Sequence, residues 1–243
     1  MNYLDTRNYT ISDNSIHVWL VTLNTLRNKI QFFKEILSKE ELIKASKFRF
    51  DKDRQQFIIT RGVLRYLSGN YLKINPKDVN LIYSEFGKPY FDMDTTLKFN
   101  VSHAEDLAVI GFVNNYDFGI DVEYTKRTFD ILDIVDNYFS KHEIKALKKI
   151  AKPLQTEAFY RGWTRKEAFV KAKSKGLSFP LDSFSISIET DENAELYETI
   201  WDENEKDLWR IIPFQTTKGY KAAFAVKGTI SSVKYFKFDL KYL

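Results

Sequence analysis

Three carboxylates carry the clearest chemical signal in this chain of 243 residues. In the segment FGIDVEY, Phe118, Ile120 and Val122 alternate with Gly119, Asp121 and Glu123. A strand there places both acids on one face, about 7 Å apart. An ordinary half-solvated strand would show the same alternation. The acids nevertheless follow a glycine, the residue that lets a ligand or another backbone come close. The third acid, Glu167, lies in YRGWTRKEAFVK, where Tyr160, Trp163, Glu167 and Val170 recur at helical spacing. A carboxylate on an apolar stripe must be paired, protonated or bound to a cation. Lys171, four residues on, offers a helix ion pair, but an exposed pair of that kind contributes only about 0.3–0.5 kcal/mol.

Two acids on a strand and one on a helix form an oxygen-rich set suited to magnesium, a hard cation that keeps waters and binds substrate phosphate. Lys166 and Lys171 stand ready to neutralise phosphate oxygens that the metal does not reach. A second, basic and polar group comprises Lys88 and Pro89 in FGKPYF, with Ser102 and His103 in NVSH. It adjoins the acidic strand across a hairpin.

The elements that must position these groups follow from periodicity. A strand is expected over Ile16 to Leu23, then helices over Leu26 to Leu37, Ser38 to Phe48 and Asp53 to Leu72, the last closed by Pro76. VNLIYS, LAVIGFV and FGIDVEY read as strands. Helices follow over Thr128 to Tyr138, Ser140 to Ile150 and Thr156 to Ser174. The chain ends in the strands FSISIET, LWRIIPF, GYKAAFAV and VKYFKFD. Their connections are too short for crossover helices, so antiparallel neighbours are expected.

The second pass repeats the first. Ser38-Lys39-x-Glu41 recurs as Ser140-Lys141-x-Glu143, and Arg61-Gly62-x-x-Arg65 as Arg161-Gly162-x-x-Arg165, each roughly a hundred residues later. The expected fold is α+β, with two similar halves related by a pseudo-twofold axis. Each is an antiparallel sheet packed with a long helix, and the site lies in the cleft between them. The halves divide as residues 1–115 and 116–243. At matching positions the first half has Trp19, Val21 and Leu67, so the acids predict one metal site, not two.

Composition narrows the chemistry further. There is no cysteine, which excludes disulfides and thiolate chemistry. The beginning of the chain is polar, and the longest apolar runs are far too short to span a membrane. A soluble cytoplasmic protein is expected, without membrane or nucleic-acid partners. The formal charge of +4 suits anionic partners of either size, small molecule or acidic protein.

Together, FGKP at 86–89, NVSH at 100–103, GIDVE at 119–123 and WTRKEAFVK at 163–171 resemble, in order and spacing, the signatures of the Sfp-type 4′-phosphopantetheinyl transferases. The resemblance covers about residues 38 to 190. It implies transfer of the 4′-phosphopantetheine arm of coenzyme A to a serine of an apo acyl or peptidyl carrier protein, with 3′,5′-ADP released. By position, Asp121, Glu123 and Glu167 would hold magnesium; Lys171 and Lys166 would contact phosphate. Lys88 and Pro89 would lie beside the adenine, and Ser102 and His103 by the pyrophosphate and 3′-phosphate. Lys44, Lys47 and Arg61 match basic positions near the 3′-phosphate. Glu41 stands where some members have lysine, and Ser174 where the family usually has the first glycine of Gly-x-Gly-Leu. The expected general base is Glu167, with Glu143 the other choice. Members with this layout act as monomers. The competing functions are a magnesium-dependent nucleotide or coenzyme A hydrolase and a non-catalytic coenzyme A-binding protein.

Overall fold

The computed structural model describes residues 9–125, 131–239, 241 and 243. The expected start of a helix at Thr128 lies outside them. The first half contributes strand β1 (Ser15–Thr22), a 3-10 segment (Leu23–Lys29), and helices α1 (Ile30–Ile36), α2 (Lys39–Ser46) and α3 (Asp51–Leu72). Strands β2 (Leu81–Tyr83), β3 (Pro89–Phe91), β4 (Leu97–Ala104) and β5 (Leu107–Asn114) complete it. The second half has β6 (Phe118–Tyr124), α4 (Ile131–Tyr138), α5 (Lys141–Lys149) and α6 (Lys152–Lys173). It continues with β7 (Phe184–Ile186), β8 (Leu196–Thr199), β9 (Trp209–Pro213), β10 (Tyr220–Lys227) and β11 (Ser232–Phe238).

The repeat is visible atom by atom. Ser38 and Ser140 each cap a helix by accepting from the main-chain N–H of Glu41 and Glu143, while those glutamates accept from the serine N–H groups in return. Such a reciprocal box satisfies two donors that a helix start leaves bare. α3 and α6 are each 22 residues long. Both end on a residue in the left-handed conformation, Lys73 at φ 58° and Ser174 at φ 56°.

The layers run helix, sheet, sheet, helix. One sheet has the order β11-β1-β5-β4 and the other β6-β10-β9. Along β1, Trp19 and Val21 face the core under α3, while Ile16, Val18 and Leu20 face the second sheet. Both faces of this strand are covered, which explains its unbroken burial. Phe118, Ile120, Val122 and Phe224 supply the opposing side of the sheet-to-sheet core, and α6 covers the outer face through Ala168, Phe169 and Ala172 against Ala223 and Ala225. Trp19, Val21 and Leu67 are wholly buried, in keeping with acids in one half only.

One strand departs from expectation. β11 leaves the second half and pairs parallel with β1, from Ser15 opposite Ser232 to Val21 opposite Phe238. The two sheets are stacked, so a short link through Gly228, at φ 125°, can step from one to the other. A short connection enforces antiparallel pairing only within one sheet. Among the described residues, no helix is long and apolar enough to cross a membrane.

Candidate active site

The site forms where β4, an edge of the first sheet, meets β6, an edge of the second. No ladder joins these strands. Instead the Asn100 side chain accepts from the Ile120 N–H at 2.9 Å, replacing one main-chain bond. NVSH is part of β4, and its asparagine bridges the two sheets. Sequence reasoning included Asn100 in the NVSH segment but gave it no role; its place in a polar run on an apolar strand is the signal that could have assigned one.

Asp121 is 3% exposed and sits at this junction. Its Oδ1 accepts from Ser102 Oγ at 2.8 Å and from Lys171 Nζ at 2.6 Å, and Lys171 also donates to Ser102 at 2.9 Å. Oδ2 is buried with no partner. Glu167, one helical turn before Lys171, lines the neighbouring cavity of about 360 Å³ with Lys88, Pro89, Val101 and Lys171. Burial raises the Glu167 carboxyl above the usual range, the Asp121 charge adds to this, and Lys171 opposes it. Phe86, Val170, Ser174 and Gly176, none of them picked out as site residues by sequence, complete the wall. Gly176 (φ 64°) lies under the Phe86 ring, with 2.9 Å between an added Cβ and Phe86.

The strand and helix approach one another at backbone distance. A Cβ on Gly119 would stand 2.2 Å from Ala168 O and 2.3 Å from Ala172 N. The glycine before the acids therefore admits α6, and with it Glu167 and Lys171, to the acidic strand.

An orphaned carboxylate oxygen next to a glutamate whose ionisation its neighbour opposes makes a site that fits added positive charge. Lys171 supplies part of it. Glu123, two residues along β6, is half-buried and faces Lys221 across the ladder. Among the described residues no three His, Asp or Glu side chains stand close enough together to enclose an ion as they are placed.

The other expected residues divide. Lys88 donates to Phe118 O at 3.0 Å and Lys171 O at 2.7 Å, and burial lowers its ammonium to about 8. His103 is exposed on β4. Lys44 and Arg61 lie over the rings of Phe57 and Tyr83 at 5.5–6.0 Å, and Tyr83 faces Pro89 across the hairpin. Lys47 is exposed at the end of α2.

Two residues are not at the cleft at all. Lys166 and Glu143 are each 0% exposed and form an interior ion pair at 2.7 Å. Lys166 also donates to Phe184 O at 2.8 Å. Glu143 Oε1 accepts from Ile186 N and Oε2 from Ser140 N, both at 2.8 Å. With every donor and acceptor engaged inside the second half, Lys166 meets no phosphate and Glu143 has no oxygen turned to a substrate hydroxyl. Its counterpart Glu41 differs: Oε2 serves both its cap and Arg65 at 2.5 Å, while Oε1 is buried without a hydrogen bond, 3.5 Å from Arg61 Nε.

Comparison with known proteins decides the family. Residues 117–225 match the model of the 4′-phosphopantetheinyl transferase superfamily, and residues 22–113 that of the 4′-phosphopantetheinyl transferase N-terminal region. The chain is 30% identical over 224 residues to 4′-phosphopantetheinyl transferase HetI of Nostoc sp., covering 91% of each protein. It belongs to the 4′-phosphopantetheinyl transferase superfamily. Sfp of Bacillus subtilis is 32% identical over 159 residues, covering 65% of this chain and 70% of its own. The gsp transferase of Aneurinibacillus migulanus is 28% identical over 198 residues, covering 81% and 79%. β4 lies within the matched N-terminal region and β6 within the matched superfamily region, so both strands of the junction fall in matched segments.

Proposed function

We propose that this protein transfers the 4′-phosphopantetheine arm of coenzyme A to a serine hydroxyl of an apo acyl or peptidyl carrier protein. The observation that carries the reading is Asp121 clasped by Lys171 and Ser102 beside Glu167, in a cleft between halves of a chain from this superfamily. Asp121 and Glu167, with Glu123 at the solvent end, would hold magnesium. When bound, the metal would withdraw charge from the pyrophosphate.

The remaining chemistry falls to side chains. The serine oxygen bonds to the β-phosphorus of coenzyme A, the bond from that phosphorus to the bridging oxygen breaks, and 3′,5′-ADP departs with the electron pair. The serine proton passes to Glu167, the carboxylate that lines the cavity beside Lys171. Glu143 is unsuited, being enclosed in its ion pair. Lys171 offsets charge on the phosphoryl oxygens, the usual main contribution in this reaction class. Pro89, Ser102 and His103 are assigned to the nucleotide side, with Lys44, Lys47 and Arg61 toward the 3′-phosphate, while the Lys88 ammonium is turned inward to two main-chain carbonyls. The +4 charge favours an acidic carrier. One chain supplying both cleft walls supports action as a monomer, and the proposed location is the cytoplasm.

The test is to incubate the protein with apo carrier, magnesium and coenzyme A, and to weigh the carrier. A gain of one phosphopantetheine is expected. ADP release with no gain on several carriers would indicate hydrolysis, and coenzyme A binding without product a sensor.

A further inference from the structure

Lys88 lies in the turn expected against the adenine, yet its ammonium is directed into the protein. It reaches Phe118 O, the first carbonyl of the strand that carries Asp121, and Lys171 O, in the last turn of the helix that carries Glu167. The Lys171 carbonyl would otherwise be served only by Ser174 N at 3.3 Å. A helix end leaves such carbonyls short of donors, and a cation is the favoured partner there. Lys171 is thus fixed twice, by its main chain to Lys88 and by its ammonium to Asp121 and Ser102. Between the two carbonyls lies the Gly119 contact, where strand and helix touch with no side chain between them. Packing alone leaves two such backbones free to slide. A donor shared between them removes that freedom.

We propose that Lys88 is a positioning residue for phosphopantetheinyl transfer, an internal clamp from the β2–β3 hairpin that fixes α6 against β6 and so sets Glu167 and Lys171 at Asp121. The proposal rests on the transferase reading and adds to it a role for the hairpin lysine that is independent of nucleotide contact. It links the hairpin that would carry the nucleotide to the pair of elements that perform the chemistry.

Lys88→Met and Lys88→Arg separate this role from direct ligand binding. In the ligand-free protein, Lys88→Met should speed amide exchange in residues 118–121 and 170–174 at least tenfold, with exchange in α3 unchanged. It should lower kcat at saturating coenzyme A at least tenfold while 3′,5′-ADP, measured without metal, binds within threefold of wild type. Lys88→Arg keeps two donors and should restore kcat to within threefold. If Lys88→Met does not fold, Lys88→Gln carries the same measurements. Unchanged exchange, or a tenfold loss of 3′,5′-ADP affinity with kcat intact, overturns the proposal in favour of a nucleotide contact. Wild-type protein that transfers nothing would refute the transferase reading, while the exchange comparison still decides whether the clamp exists.

Discussion

Gly119→Ala tests the idea that catalysis depends on backbone contact between β6 and α6. The added methyl would lie 2.2 Å from Ala168 O, 2.3 Å from Ala172 N and 2.8 Å from Lys171 C. Ordinary van der Waals contact begins near 3.4 Å, and all three obstacles are main chain, so no side chain can swing aside. The helix must withdraw by about 1 Å, a displacement that costs on the order of 100-fold when it separates reacting groups. Overpacking of this kind costs about 1–3 kcal/mol of stability, which a domain of ordinary stability survives. The Lys171 to Asp121 bond, now 2.6 Å, would open by a similar amount. Carrier mass gain over time gives the rate, and a denaturation curve gives the stability. A folded Gly119→Ala protein within threefold of wild-type turnover would show that the close approach does not position the site.

Three further outcomes are expected. Glu167→Gln should reduce transfer by about 100-fold or more yet raise the melting temperature. Burial and Asp121 raise the glutamate's folded-state pKa, so ionisation costs stability above that pKa and the amide removes the cost; a lowered melting temperature would contradict this. His17, wholly enclosed and bonded to Tyr71 OH at 2.7 Å, is lowered by burial and by Lys234 from 6.5 to about 4. The unfolded chain therefore binds the extra proton between those values, and stability should be about 2 kcal/mol lower at pH 5 than at pH 8. Urea curves should show His17→Gln losing most of that slope. Finally, Glu143→Gln strands a buried ammonium and should cost about 3–5 kcal/mol, while activity per folded molecule stays within a few-fold; a loss of turnover in fully folded protein would return Glu143 to the reaction.

The acids were legible because their spacing is tied to one element each. Period two fixed Asp121 and Glu123 on a common strand face, and the run of Tyr160, Trp163, Glu167 and Val170 marked an inward helix stripe. Lys171 shares that face at four residues from Glu167. Lys166 was misplaced because adjacent helical residues point about 100° apart. That rotation directs it toward α5 and Glu143, a partner 23 residues away that no local pattern reveals. β11 escaped for a similar reason: its length and composition announced a strand, but its choice of neighbour depends on the stacking of two sheets. The inward course of Lys88 was likewise invisible, since the two carbonyls it meets lie 30 and 83 residues along the chain.

The duplicated architecture explains why a single site arises from two similar halves. Each half has a capped short helix whose glutamate is held by a basic residue of the following long helix, Arg65 for Glu41 and Lys166 for Glu143. The Lys166 pair is sealed inside its half, whereas Glu41 and Arg65 line a cavity with Lys44 and Tyr83. Function enters where the symmetry is broken: Trp19 and Val21 fill the core beneath α3, whereas Asp121 meets Ser102 and Lys171. One wall of that meeting comes from β4 and the other from β6 and α6, so neither half can assemble it alone. The return of β11 to β1, together with the apolar face shared by the two sheets, then makes separation of the halves costly. A rigid junction serves a reaction that depends on placement. It accounts for the backbone contacts, glycine and buried lysine gathered beside the carboxylates.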